Sequence, residues 1–114
     1  MFAPGFQVYS SIRDGKFKYN NGTSMAAPHI SGVAAVLRSF YPKLSASSIK
    51  SIILNSGISM NKKLKEPGSE NILEPNSMSL TGKTVNLYNA LIYASIFKKN
   101  NPKGSLNKYK SIIK

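Results

Sequence analysis

Between Gly22 and Leu37 the chain runs Gly-Thr-Ser-Met-Ala-Ala-Pro-His-Ile-Ser-Gly-Val-Ala-Ala-Val-Leu, a stretch that few backbones can accept. Tyr19-Asn20-Asn21 precedes it, so the segment starts in turn chemistry and continues in small and aliphatic residues. This predicts a corner opening into a helix from about Thr23 to Ser39. Ala26, Ala27, Gly32, Ala34 and Ala35 would let neighbours approach the helix backbone, and a deeply packed helix is expected. Pro28 has no N–H for the Ser24 carbonyl and its ring presses on that carbonyl, which predicts a distorted first turn. Phe40-Tyr41-Pro42 should close the helix, because the residue before a proline is driven out of the α region.

Ser24 falls at the change of direction. A serine hydroxyl attacks a carbonyl when a base takes its proton and donors await the oxyanion. The first turn of a helix supplies backbone N–H groups without intrahelical partners and the positive end of the macrodipole. His29, the one histidine in the chain, lies five residues on. On a helix that is a rotation of about 500°, so the two side chains diverge by roughly 140°. His29 is therefore expected to be a buried imidazole bonded to backbone, not the base. Asp14, the one aspartate, belongs to Asp14-Gly15, which is hairpin-turn chemistry and not a catalytic acid.

Gly22-Thr23-Ser24-Met25-Ala26-Ala27-Pro28-His29 resembles the serine motif of the subtilisin-like serine proteases, the subtilases. Three weaker stretches agree in order and spacing: Ala3-Pro4-Gly5, Tyr41 to Leu54, and Val85 to Leu91. Together they span roughly residues 1–97. The resemblance implies an α/β fold, the C-terminal portion of a subtilisin-like parallel-sheet domain, with short strands and a hairpin, a long buried helix after the nucleophile, and two further helices. It also implies that Ser24 is the nucleophile and that Asn20 and Asn21 line the approach to the scissile bond. In that family the triad runs Asp, His, Ser along the chain. The aspartate, the histidine and the asparagine that completes the oxyanion hole would then lie upstream of Met1, in a missing N-terminal half of the catalytic domain.

The sequence has 114 residues, 41% of them hydrophobic, a net charge of +12 and a pI near 10.1. Such a charge raises nucleic acid as a partner. However, the lysines are scattered, with no zinc spacing and no phosphate loop, and a solvated surface is expected instead, with no nucleic acid. Zero cysteines exclude disulfides and thiol chemistry. No apolar run approaches the roughly 18 residues of a membrane span. No cofactor is expected for this chain, while a calcium requirement of the complete domain is left open. By resemblance the setting is secreted or secretory, with no targeting signal in the chain.

In chain order, residues 2–5 should leave a buried strand, and Phe6 to Ile12 should pair with Phe17 to Tyr19 across the Arg13–Lys16 turn. Ser45 is the expected N-cap of a second helix with an Ile49, Ile52, Ile53 stripe and a stop at Gly57. The other serines of this helix are expected at its surface. Residues 58–81, rich in Lys, Glu, Asn, Pro and Ser, are expected to be disordered or a surface insertion. Asn86 should cap a last helix through about Phe97, with Leu87, Ala90, Leu91 and Ala94 on one face. Residues 98–114 form a basic tail, expected to be flexible.

The function expected is serine-type endopeptidase activity on polypeptide substrates by acyl transfer through Ser24, with the chain inactive alone. The alternative is a truncated, non-catalytic interaction module that binds an acidic partner through its lysines.

Overall fold

A computed structural model describes residues 1–100, with only the backbone of the last two. The expected tail from residue 101 onward lies outside the described residues. The chain opens with a hairpin, β1 (Val8–Ser11) and β2 (Phe17–Asn20), paired antiparallel with Tyr9 opposite Tyr19 and Ser11 opposite Phe17. Asp14 and Gly15 both have positive φ at the turn, as Asp-Gly favours, and Asp14 is thereby confirmed as a turn residue.

From the hairpin the chain passes into α1 (Thr23–Phe40), then α2 (Ala46–Ser56). Tyr41 leaves the helical region ahead of Pro42 (φ −130°, ψ 64°) and its N–H caps the Leu37 carbonyl at 2.8 Å. Arg38 donates to the Leu44 carbonyl at 2.6 Å and ties the connection back to α1. Ser45 caps α2 by accepting the Ser48 N–H at 3.1 Å. Ser48 is fully buried rather than at the surface, its hydroxyl sharing a 2.9 Å hydrogen bond with that of Ser45. Gly57 ends α2 in extended geometry (φ −64°, ψ 156°), not in the left-handed cap that a terminal glycine suggests. The Lys83 ammonium instead satisfies the Asn55 carbonyl there, at 3.1 Å.

Residues 58–81, for which disorder or a surface insertion is the expectation, hold small ordered elements, which argues against disorder alone. β3 (Ile58–Ser59) pairs with β6 (Lys83–Thr84), β4 (Leu64–Lys65) pairs with β5 (Ile72–Leu73), and α3 (Pro75–Met78) is a single turn. Polar side chains organise the excursion: Glu66 accepts from Ser69 and Asn71, and Lys65 meets Glu70 at 2.7 Å. Composition registers such a segment as polar but is blind to reciprocal bonds of this kind.

The last element, α4 (Leu87–Asn100), starts as expected, with Asn86 accepting the Asn89 N–H at 2.8 Å, and continues past Phe97. Ala90, Ala94 and Phe97 form its buried stripe, whereas Leu87 is exposed. The core lies where this stripe meets Val33 and Leu37 of α1 and Ile49, Ile52 and Ile53 of α2, with Leu44 at the connection.

Two features depart from the expected layering. Among the described residues the named strands form two-stranded antiparallel pairs, and parallel pairing is confined to a bridge between Phe2 and Thr84. Phe2 donates to the Lys83 carbonyl at 2.8 Å and accepts from Val85 at 2.9 Å, so the first residues are half-buried rather than the exit of a buried strand. Helix α1 buries only Val33 and Leu37, leaving Ala27, Pro28, Gly32 and Ala35 exposed. A small side chain permits close packing but does not supply the neighbour.

Candidate active site

The corner ahead of α1 is built from backbone. Gly22 takes φ 131° and ψ 170°, a region that a side chain would resist. Its N–H donates to the Gly5 carbonyl at 2.7 Å. A Cβ on Gly5 would come within 2.8 Å of the Gly22 oxygen, so the Ala3-Pro4-Gly5 segment sits tightly behind the turn. Asn21 completes the brace: its Oδ1 accepts the Gln7 N–H at 2.6 Å, and Gln7 has φ 50°. No local signal marks Gln7 as special, since its partner lies fourteen positions away.

Beyond Gly22 the helix tightens at once. Met25 donates to the Gly22 carbonyl at 3.0 Å and Ala26 donates to the same oxygen at 3.4 Å. The leading amides of Thr23 and Ser24 precede any intrahelical acceptor, which leaves them as outward donors. The first turn carries no acidic side chain to neutralise the positive end of the helix. Pro28 does not break α1, which runs unbroken through it, but it withholds the N–H that the Ser24 carbonyl would otherwise receive.

Ser24 is therefore the second residue of α1, exposed, and among the described residues its hydroxyl has no hydrogen-bond partner. His29 is not the buried imidazole expected. Its ring is exposed, and Nδ1 lies 3.0 Å from the Met25 carbonyl, a bond one turn back along its own helix. The backbone partner is as expected, but burial fails because among the described residues no element covers that side of α1. The Asn20 side-chain amide turns towards the Lys18 carbonyl at 3.5 Å, and that of Asn21 serves the Gln7 brace. Ser24, Asn20 and Asn21 thus share one corner, and Asp14 lies at the far tip of the hairpin. Among the described residues no three His, Cys, Asp or Glu side chains gather as a metal site.

A cavity of about 660 Å³ lies between α1 and α2, lined by Ile30, Ala34, Ile49 and Ile53, and Ser24 is not part of its wall. Its apolar lining suits packing, whereas the chemistry gathers at the polar corner.

Taken with this corner, the comparisons with known proteins define the class. The family model described as the subtilase family matches residues 2–108, and the chain belongs to that family. It is 48% identical over 50 residues to subtilisin DY of Bacillus licheniformis, covering 44% of this chain and 18% of that protein. Alkaline serine exoprotease A of Vibrio alginolyticus is 41% identical over 73 residues, covering 64% of this chain and 14% of the relative. Among solved structures, the A-subunit of the AB5 toxin from E. coli matches with a TM-score of 0.57 and 26% identity over 81% of this chain and 26% of that one. The chain thus spans less than a third of the length of each of these relatives. The mixture of helices and short strands that matches that solved structure is consistent with the α/β fold expected from the sequence.

Proposed function

We propose that this chain carries the nucleophile of a serine endopeptidase that cleaves polypeptides by acyl transfer. Ser24 Oγ attacks the scissile carbonyl, and its own N–H, unclaimed by the helix, donates to the oxyanion that develops. The positive end of α1 adds to that stabilisation. A histidine held by an aspartate, both contributed by the rest of a catalytic domain, takes the Ser24 proton and returns it to the leaving amine. Asn20 and Asn21 stand at the approach to the scissile bond, Asn21 by fixing the corner. The polypeptide substrate and a secretory setting belong to the same reading, and calcium stays a property to be tested on a complete domain.

The observation that carries this reading is an exposed Ser24 hydroxyl that has no partner among the described residues, on a backbone-braced corner, with helix-leading amides beside it. A fluorophosphonate probe tests it. In a complete domain the probe should label Ser24, Ser24→Ala should abolish labelling, and the 114-residue chain by itself should not label, for want of a base. A complete domain that cleaves polypeptide while Ser24→Ala stays active would overturn the reading.

A further inference from the structure

The β1–β2 hairpin has two unlike faces. Tyr9, Phe17 and Tyr19 lie together on one, 61%, 59% and 68% exposed, with the Tyr9 ring 5.7 Å from Phe17 and 5.0 Å from Tyr19. By strand alternation Lys16 and Lys18 project from the other. All three glutamates of the chain lie between residues 66 and 74, where two of them pair with Lys63 and Lys65. Among the described residues the hairpin lysines have no ion-pair partner.

The outer edge of β2 is also open. Ile12 donates to the Lys16 carbonyl at 2.7 Å, which fixes the alternation of the ladder: Lys16, Lys18 and Asn20 bond inward to β1. The N–H and C=O groups of Phe17 and Tyr19 therefore face outward, and among the described residues no other strand pairs with β2. That edge runs directly into Asn20, Asn21 and the Ser24 corner.

We propose that this edge receives an extended substrate segment as a third strand, and that it selects a segment in which acidic and apolar residues alternate. Backbone groups of Phe17 and Tyr19 pair with the incoming chain, and a period of two sends its side chains alternately to either face. Those on the ring side meet Phe17 and Tyr19, whose rings Tyr9 backs from β1, and those on the other meet Lys16 and Lys18. Charge complementarity chooses carboxylates for the second set. This selectivity rests on the reading of Ser24 as nucleophile, since it explains why a selective edge should lead to that corner.

Binding of two labelled dodecapeptides to the complete chain tests it by fluorescence anisotropy at low salt: one alternates Glu and Val, the other has the same composition in Glu-Glu-Val-Val blocks. The alternating peptide should bind about tenfold tighter. Lys16→Glu with Lys18→Glu should reverse the preference towards an alternating Lys-Val peptide, a gain that a misfolded variant cannot produce. Tyr19→Ser should weaken all alternating peptides while far-ultraviolet circular dichroism stays unchanged. Equal affinity for the alternating and blocked peptides, or no reversal in the charge-swapped variant, would overturn the proposal. So would evidence that Tyr19→Ser abolishes self-association instead of peptide binding, because the edge would then serve a second copy of the chain. Fluorophosphonate labelling of a complete domain, scored separately, distinguishes failure of the edge from failure of the nucleophile.

Discussion

At Gly22, two residues ahead of Ser24, the backbone adopts a conformation that only glycine takes readily. With φ at 131° the residue enters a region that costs an L side chain about 1–3 kcal/mol. Space is not the obstacle, since the nearest atom to a Cβ there, beyond the adjoining residues, is the Ser24 nitrogen at 4.0 Å. Gly22→Ala is therefore expected to act through torsional strain and lower stability by about 1–3 kcal/mol. Chemical denaturation followed by circular dichroism measures it, and an unchanged midpoint would show that the corner relaxes freely. Gly5 differs in kind: its substitution drives a Cβ into the Gly22 carbonyl oxygen, a backbone atom that cannot swing aside.

For the elements, polar side chains decide as much as apolar stripes do. Ser45 and Asn86 cap α2 and α4 through bonds to the amide three residues on, a signal that lies wholly within the local sequence. The β4–β5 hairpin is held differently. Glu66 accepts from Ser69 at 2.8 Å and Asn71 at 3.0 Å, and these bonds hold its carboxyl below the usual range. A depressed folded pKa means a contribution that is present above the unfolded pKa and lost as pH falls through the folded one. The group is fully exposed, so the effect is local rather than global. Amide resonances of residues 69–72 should titrate in acid with a midpoint below the ordinary glutamate range, and Glu66→Gln should remove that transition. A midpoint at or above that range would show that the hairpin does not depend on these bonds.

Across the molecule, three helices share one core while other apolar surface stays uncovered. Ala27, Pro28, Gly32 and Ala35 of α1 are exposed, and Ile30, Ala34 and Ile49 line an open cavity beside them. Surface of this kind favours association over solvation. The 114-residue chain is therefore expected to unfold broadly and to bind a hydrophobic dye, and calorimetry with dye fluorescence checks both. A sharp calorimetric transition without dye binding would mark an independently stable module.

Local physics was written in the sequence: the glycine corner, the helix after it, the Pro42 stop, the caps at Ser45 and Asn86, and the motif that assigns the family. The signals for these lie within a few residues of one another, although the corner is also braced from Gly5 and Gln7. Tertiary structure alone decided that His29 is exposed, that Ser48 is buried, that residues 58–81 hold ordered elements, and that Asn21 accepts the Gln7 N–H. It also decided which side of α1 is covered. Those outcomes depend on partners brought from far along the chain, as Thr84 is brought to Phe2, and a side chain's own pattern cannot specify whether a distant neighbour arrives to cover it.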